Sequence, residues 1–270
     1  MSAIDVLFRS LRAARRKALM PFITAGDPDL EFTAEILRAL AGRGCHLCEL
    51  GIPYSDPIAD GPVIQASYTR ALAHGLRVAD ILRMVQRETR EFTMPIVTMV
   101  SYAIVLRHGL ERYVTEAKAA GVAGAIVPDL LVEEAGELSE CCRRADFSLI
   151  QLVTPTTPRD RALRIAERST GFLYYVSVTG ITGERSQFPQ ALLDNVAWLR
   201  QRTELPICVG FGISQPEHVR TLAEVADGLI VGSAFVRRIE TAAREPRPQV
   251  LADVGRFAAE LLDALPQPPV

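Results

Sequence analysis

Two carboxylates early in the chain are the residues best suited by type to move protons. Glu49 interrupts the apolar run of Leu47, Cys48 and Leu50. Side chains alternate along a strand, so an inward-facing Glu49 shares its side with Leu47 and Gly51 and sends Cys48 and Leu50 to the opposite face. A carboxyl group desolvated among apolar neighbours has a raised pKa and can exchange a proton near neutral pH. A structural Glu held by an Arg or Lys would account for the residue equally well, and the residues alone leave both readings open. Asp60 stands before Gly61-Pro62, where a helix cap explains it as readily as chemistry does. Asp56 lies in the turn opening Ser55-Asp56-Pro57, while Asp27 and Asp129 read as loop-bracing carboxylates.

A second kind of chemistry is carried by glycine. Thr179-Gly180-Ile181-Thr182-Gly183, Gly210-Phe211-Gly212 and Gly232-Ser233 each close a short apolar run. Glycines let backbone N–H groups approach an anion closely, and a helix beginning at Ser233 would aim its positive end at one. Any one of these glycines could be a turn residue; three in succession point to phosphate. Other chemistries lack an anchor. His46, His74, His108 and His218 show no metal-ligand spacing, and the chain contains no GxSxG elbow, Walker loop or GxGxxG after a first strand.

The elements that must position these residues alternate regularly. Candidate strands are Ala18–Ala25, His46–Ile52, Pro95–Ser101, Gly124–Asp129, Ser148–Thr154, Phe172–Val178, Pro206–Gly212 and Gly228–Ser233. Helical segments fill the gaps: Leu30–Arg43, a long stretch from Pro62 to Arg90, Leu110–Ala120, Val132–Arg144, Arg159–Arg168, Pro189–Arg202, Pro216–Ala223 and two more at the C-terminus. Asp60 and Ser214 are the cap candidates for the helices at Pro62 and Pro216. Residues 3–15 read as an additional amphipathic helix, and Glu245–Pro248 as a linker. Strands alternating with crossover helices make a parallel sheet, and eight strands close a barrel, so the expected fold is an α/β single (β/α)8 TIM barrel with an extra N-terminal helix, one domain over residues 1–270. An open doubly wound sheet is the rival architecture. In the barrel, catalytic groups lie at the C-terminal strand ends, where the residues singled out above fall.

Composition narrows the partners. The chain has 270 residues, 49% hydrophobic and 23% charged, and 30 basic against 32 acidic residues leave a net charge of −2, so no general field favours nucleic acid or an anionic membrane. No run of about 18 apolar residues would span a bilayer. Cys45, Cys48, Cys141, Cys142 and Cys208 form an odd set, and Cys48 of the CxxC sits in a strand pattern, so reduced, packed thiols and a cytoplasmic location are expected.

The segments Pro21-Phe22-Ile23-Thr24-Ala25-Gly26-Asp27-Pro28, Glu49-Leu50-Gly51-Ile52-Pro53-Tyr54-Ser55-Asp56-Pro57-Ile58-Ala59-Asp60-Gly61-Pro62-Val63-Ile64-Gln65, Val127-Pro128-Asp129-Leu130, Ser177-Val178-Thr179-Gly180-Ile181-Thr182-Gly183 and Gly210-Phe211-Gly212-Ile213-Ser214 resemble, in order, those of the tryptophan synthase alpha subunit family. The resemblance implies a reversible retro-aldol cleavage of indole-3-glycerol phosphate to indole and glyceraldehyde 3-phosphate, without a metal or organic cofactor. It implies that Glu49 is the general acid/base, that Asp60 binds the indole N–H, and that Tyr174 lies on the inner wall beside the acid/base residue. Gly183, Gly212, Gly232 and Ser233 match phosphate-holding positions, and Thr182 would contact Asp60 from a mobile lid over residues 179–188. It further implies docking, as an alpha2beta2 complex, on a PLP-bearing beta chain that receives indole through a tunnel. One departure stands out: the family generally shows an Asn shortly behind a Tyr after the third strand, and this chain reads Ser101-Tyr102-Ala103-Ile104. A stand-alone lyase releasing free indole, or a mainly allosteric binding subunit, would also fit the motifs. A phosphosugar isomerase would need a Lys or His base at a strand end, and none is evident.

Overall fold

The computed structural model describes residues 1–58, 60–176, 188–210 and 212–266. Its elements run α1 (Ala3–Ala13), β1 (Ala18–Thr24), α2 (Leu30–Gly42), β2 (Cys48–Gly51), α3 (Pro62–Leu72), α4 (Val78–Glu88), β3 (Ile96–Met99), α5 (Tyr102–His108), α6 (Leu110–Ala119) and β4 (Val122–Ile126). They continue with α7 (Gly136–Arg144), β5 (Ser148–Val153), α8 (Arg159–Arg168), β6 (Leu173–Val176), α9 (Gln190–Arg200), β7 (Ile207–Gly210), α10 (Pro216–Ala223), β8 (Gly228–Val231), α11 (Ser233–Glu240) and α12 (Arg247–Asp263). All eight strands pair in parallel in chain order and β8 returns to β1, closing the barrel. The open-sheet alternative is thereby excluded. Among the described residues no helix is long and apolar enough to cross a membrane.

Strand alternation divides the core in two. Met20, Phe22, Leu47, Val97, Met99, Tyr174, Cys208 and Ile230 point into the barrel, whereas Leu19, Ile23, Cys48, Leu50, Ile96 and Val209 pack outward against the helices. Glu49 therefore faces inward with Leu47, in register with Phe22 of β1 and Val97 of β3. The amphipathic helix α1 closes the N-terminal end: Ile4, Phe8 and Leu11 join the inner cluster, with Phe8 tilted on Phe172 at 5.9 Å. Ser2 and Asp5 cap it reciprocally, and Ser148 Oγ donates to Ser2 Oγ at 2.8 Å, tying the plug to β5.

Four expectations need correction. The stretch from Pro62 to Arg90 is two helices, because Gly75 takes a left-handed conformation (φ 67°) that ends the first. Helix α5 was not anticipated: Ser101 caps it by accepting from the Ala103 N–H, and Gly109 (φ 93°) separates it from α6. Neither proposed cap operates. The N-caps are Gly61 and Gln215, without side-chain cap bonds, so a helix cap does not account for Asp60, nor for Ser214. Finally, α7 begins at Gly136, four residues later than expected, and α12 absorbs part of the supposed linker.

Candidate active site

A cavity of ≈ 690 Å³, counting its open mouth, occupies the C-terminal end of the barrel. Its lining brings together Glu49, Asp60, Tyr174, Gly212, Gly232 and Ser233 from positions scattered along the chain. Thr182 and Gly183, with the rest of the expected lid and Phe211, lie outside the described residues.

Glu49 is held by β2 with 1% of its surface exposed, and neither carboxylate oxygen has a hydrogen-bond partner among the described residues. Among the described residues no Arg or Lys pairs with it, which favours the chemical reading over a salt-bridged structural Glu. Burial, reinforced by the Asp60 carboxylate, pushes its pKa up to about 8. Asp60 sits in the turn after β2. Burial raises it to about 6, opposed by a hydrogen bond from the Tyr54 hydroxyl that favours the ionised form. Tyr54 is itself braced by the ring of Tyr68, 5.5 Å away and tilted. Near neutral pH the two acids thus differ in state, Glu49 carrying a proton and Asp60 a charge.

The other carboxylates are structural. Asp27 receives two bonds from Arg70, Nε at 2.9 Å and Nη2 at 2.8 Å, and the same guanidinium reaches Glu240 of α11 at 3.0 Å. Asp129 accepts from Ser101 Oγ and the Tyr102 N–H, both at 2.7 Å, and so braces the start of α5. Asp56 accepts from Ser55 Oγ in its own turn.

Across from β2 in the barrel, Tyr174 of β6 is buried against Gly210 of β7, where an added Cβ would fall 2.6 Å from Tyr174 Cε2. Gly212 has φ 78°, a backbone state that favours glycine. Helix α11 starts at Ser233 with Gly232 as an N-cap that provides no side-chain bond, and Gly232, Ser233 and Ala234 at this terminus line the cavity. At Gly232 a Cβ would make only ordinary contact with Phe22, so packing does not demand glycine there. Closure sets β8 beside β1 and β1 beside β2, which leaves this helix terminus one strand away from Glu49 around the rim.

Several lining residues escaped the sequence reading. Phe22, Met99 and Ile230 belong to the inward set of their strands, and extending the alternation from Glu49 across the register would have found them. Ile64, Ile213, Ser214 and Arg237 carry no such periodic signal. The Ser214 N–H donates to His218 Nδ1 at 3.3 Å, and His218 lies edge-on to Phe188 at 5.2 Å, so a buried histidine of α10 fixes the turn after β7. Among the described residues no group of three or more His, Cys, Asp or Glu side chains could hold a metal.

A closed (β/α)8 barrel with two desolvated acids and an uncapped helix terminus around one mouth defines an acid/base enzyme with room for an anionic small molecule. Comparison with known proteins makes the class specific. A sequence profile of the tryptophan synthase alpha chain matches residues 8–265. The tryptophan synthase alpha chain of Rhodopirellula baltica is 58% identical over 263 residues, covering 96% of this chain and 94% of that protein. The crystal structure of tryptophan synthase subunit alpha from Legionella pneumophila superposes with a TM-score of 0.89 at 36% identity, covering 98% of each chain. A tryptophan synthase complex from Pyrococcus furiosus contains a chain that aligns with a TM-score of 0.83 at 36% identity, covering 92% of this chain and 99% of that one. The chain belongs to the tryptophan synthase alpha chain family.

Proposed function

We propose that this cavity performs the alpha reaction, the retro-aldol cleavage of indole-3-glycerol phosphate to indole and glyceraldehyde 3-phosphate, and that the split protonation of Glu49 and Asp60 drives it. The observation that carries this reading is the pair of raised acids in one cavity, about 8 and about 6, a protonated donor beside an ionised partner. Glu49 delivers its proton to the indole carbon that bears the glycerol chain. The ring becomes a cationic indolenine, and the Asp60 carboxylate stabilises the positive charge at the ring N–H. Glu49, now a carboxylate, takes the proton of the adjacent side-chain hydroxyl. The carbon–carbon bond breaks, its electron pair returns to the ring, and the former hydroxyl carbon leaves as the aldehyde. Each proton Glu49 gives is regained in the same turnover.

Phe22, Ile64, Met99 and Tyr174 supply apolar walls for the indole ring. Phosphate is assigned to Gly212, Gly232, Ser233 and the start of α11, with Gly183 assigned to the same site and Thr182 to a contact with Asp60 on the family motif. The uncapped helix terminus and the space before Gly232 support this.

For the partner, we infer docking on a tryptophan synthase beta chain in an alpha2beta2 assembly. Ile58, Leu106 and Leu131 are exposed by 94%, 59% and 54%, and they follow the adjacent strands β2, β3 and β4 on the active-site rim. Where the family generally carries Asn, Ile104 is half-buried against the outer core; this favours, as a second reading, a lyase that releases free indole by itself. A cytoplasmic setting belongs to the same proposal and is supported by five free, buried cysteines. Indole release by the purified chain, with and without a beta chain, tests both readings. Acceleration on mixing is expected; full speed alone, unchanged by the beta chain, would select the stand-alone lyase, and no release in either sample would reject the function.

A further inference from the structure

We propose that Gln65 is a positioning residue that fixes Asp60 in the cavity by tying the turn that carries it to helix α3; the step Asp60 performs there rests on the lyase reading above. The Gln65 side-chain amide donates to the Pro57 carbonyl at 3.2 Å and to the Asp60 carbonyl at 2.8 Å, the first and last residues of one turn. The Asp60 N–H closes that turn on itself by donating to the same Pro57 carbonyl at 3.0 Å. Both acceptors of the side chain are carbonyls, so the amide presents its NH2 group, whose two hydrogens match the two acceptors. A glutamine near a helix start commonly reaches back to accept from the N-cap N–H. Gln65 instead donates to carbonyls that precede the helix, so it serves the turn rather than the cap.

The turn needs such a tie. Ser55, Asp56 and Ile58 are exposed, and packing fastens the segment mainly at Pro57. Water would satisfy exposed carbonyls in many geometries, whereas a side chain on a packed helix satisfies them in one. Helix α3 is a firm support: the hydroxyls of Ser67 and Thr24 lie 2.6 Å apart, Tyr68 is buried, and Arg70 grips Asp27 with two bonds. Asp60 lines the cavity, and its carboxylate has to meet a ring N–H at hydrogen-bond distance. A misplacement of about 1 Å at such a contact costs about a hundredfold in rate. The Tyr54 hydroxyl steadies the carboxylate and Gln65 the backbone behind it, two controls on one acid.

The test uses the full chain with Gln65→Met, which keeps the length of the side chain but removes both donors, and Gln65→Lys, whose ammonium restores donors. In Gln65→Met kcat for indole release should fall about tenfold with KM within about twofold, and Gln65→Lys should recover most of the loss. In an Asp60→Asn background, where no charge is left to position, Gln65→Met should cost less than about twofold more. A glutamine that only stabilised the fold would lower both backgrounds alike. Independently of turnover, hydrogen exchange at the Asp60 amide should quicken about tenfold in Gln65→Met. Wild-type kcat in Gln65→Met, an equal tenfold loss in the Asp60→Asn background, or unchanged exchange at Asp60 would overturn the proposal. A wild-type chain that releases no indole would instead reject the lyase reading, and faster Asp60 exchange in Gln65→Met would still uphold the tie.

Discussion

Glu49 and Asp60 are chemically similar groups driven to different protonation states by what surrounds them. Glu49 is enclosed between strands, with no hydrogen-bond donor among the described residues; Asp60 is less deeply placed and keeps the Tyr54 hydroxyl. The proposed reaction needs Glu49 protonated and Asp60 ionised, so kcat/KM should follow a bell in pH. Its acid limb falls below about 6 as Asp60 gains a proton, and its alkaline limb falls above about 8 as Glu49 loses one. In Asp60→Asn the acid limb should vanish and the remaining rate should drop by about a hundredfold or more. A pH profile of indole release checks both; an acid limb surviving in Asp60→Asn would assign it to another group. The inward direction of Glu49 was legible in the sequence, because Leu47, Cys48 and Leu50 fix the strand parity around it. Its lack of a partner among the described residues was not, since an Arg from any distant segment could have reached it. Asp60 was ambiguous for a local reason: a residue before Gly-Pro at a helix start looks the same whether it caps the helix or turns away.

Among the elements, strand ends set the shape of the pocket. β6 and β7 pair with Val176 opposite Gly210, and the missing side chain at Gly210 leaves the room that the Tyr174 ring occupies. Gly210→Ala should therefore displace Tyr174 toward the indole site, lowering stability by about 1–3 kcal/mol and kcat/KM by about tenfold or more. Thermal melting and the indole assay read the two effects, and a variant with wild-type values in both would show that the ring has free space to move. Element boundaries were legible where a proline marks a helix start in sequence, as for α8 behind Pro158 and α10 at Pro216. They were missed where the deciding fact is conformational: Gly75 adopts a left-handed state that splits one apparent helix, and Ser101 turns its hydroxyl to start α5 behind a run rich in β-branched residues.

For the whole molecule, barrel closure creates the site. Glu49 and Ser233 are remote in the chain, and pairing of β8 with β1 leaves a single strand between their strands. Eight alternating strand and helix patterns announced that closure, and the glycine-rich strand ends pointed to the anion site proposed for the same rim. Arg237 and Ser214 stayed hidden because their place in the cavity depends on how α11 and the turn after β7 are set, which no local periodicity records. The N-terminal helix, read from its amphipathic face, fills the opposite end of the barrel with Ile4 and Phe8 and so leaves one open mouth for chemistry. The central claim is that a molecule anchored at α11 is protonated by Glu49, and the rate of indole release from indole-3-glycerol phosphate by Glu49→Gln tests it most directly. The isosteric amide keeps the cavity shape but has no proton to exchange, so release should fall about a thousandfold while the substrate still binds. Indole release at the wild-type rate in that variant would contradict the account.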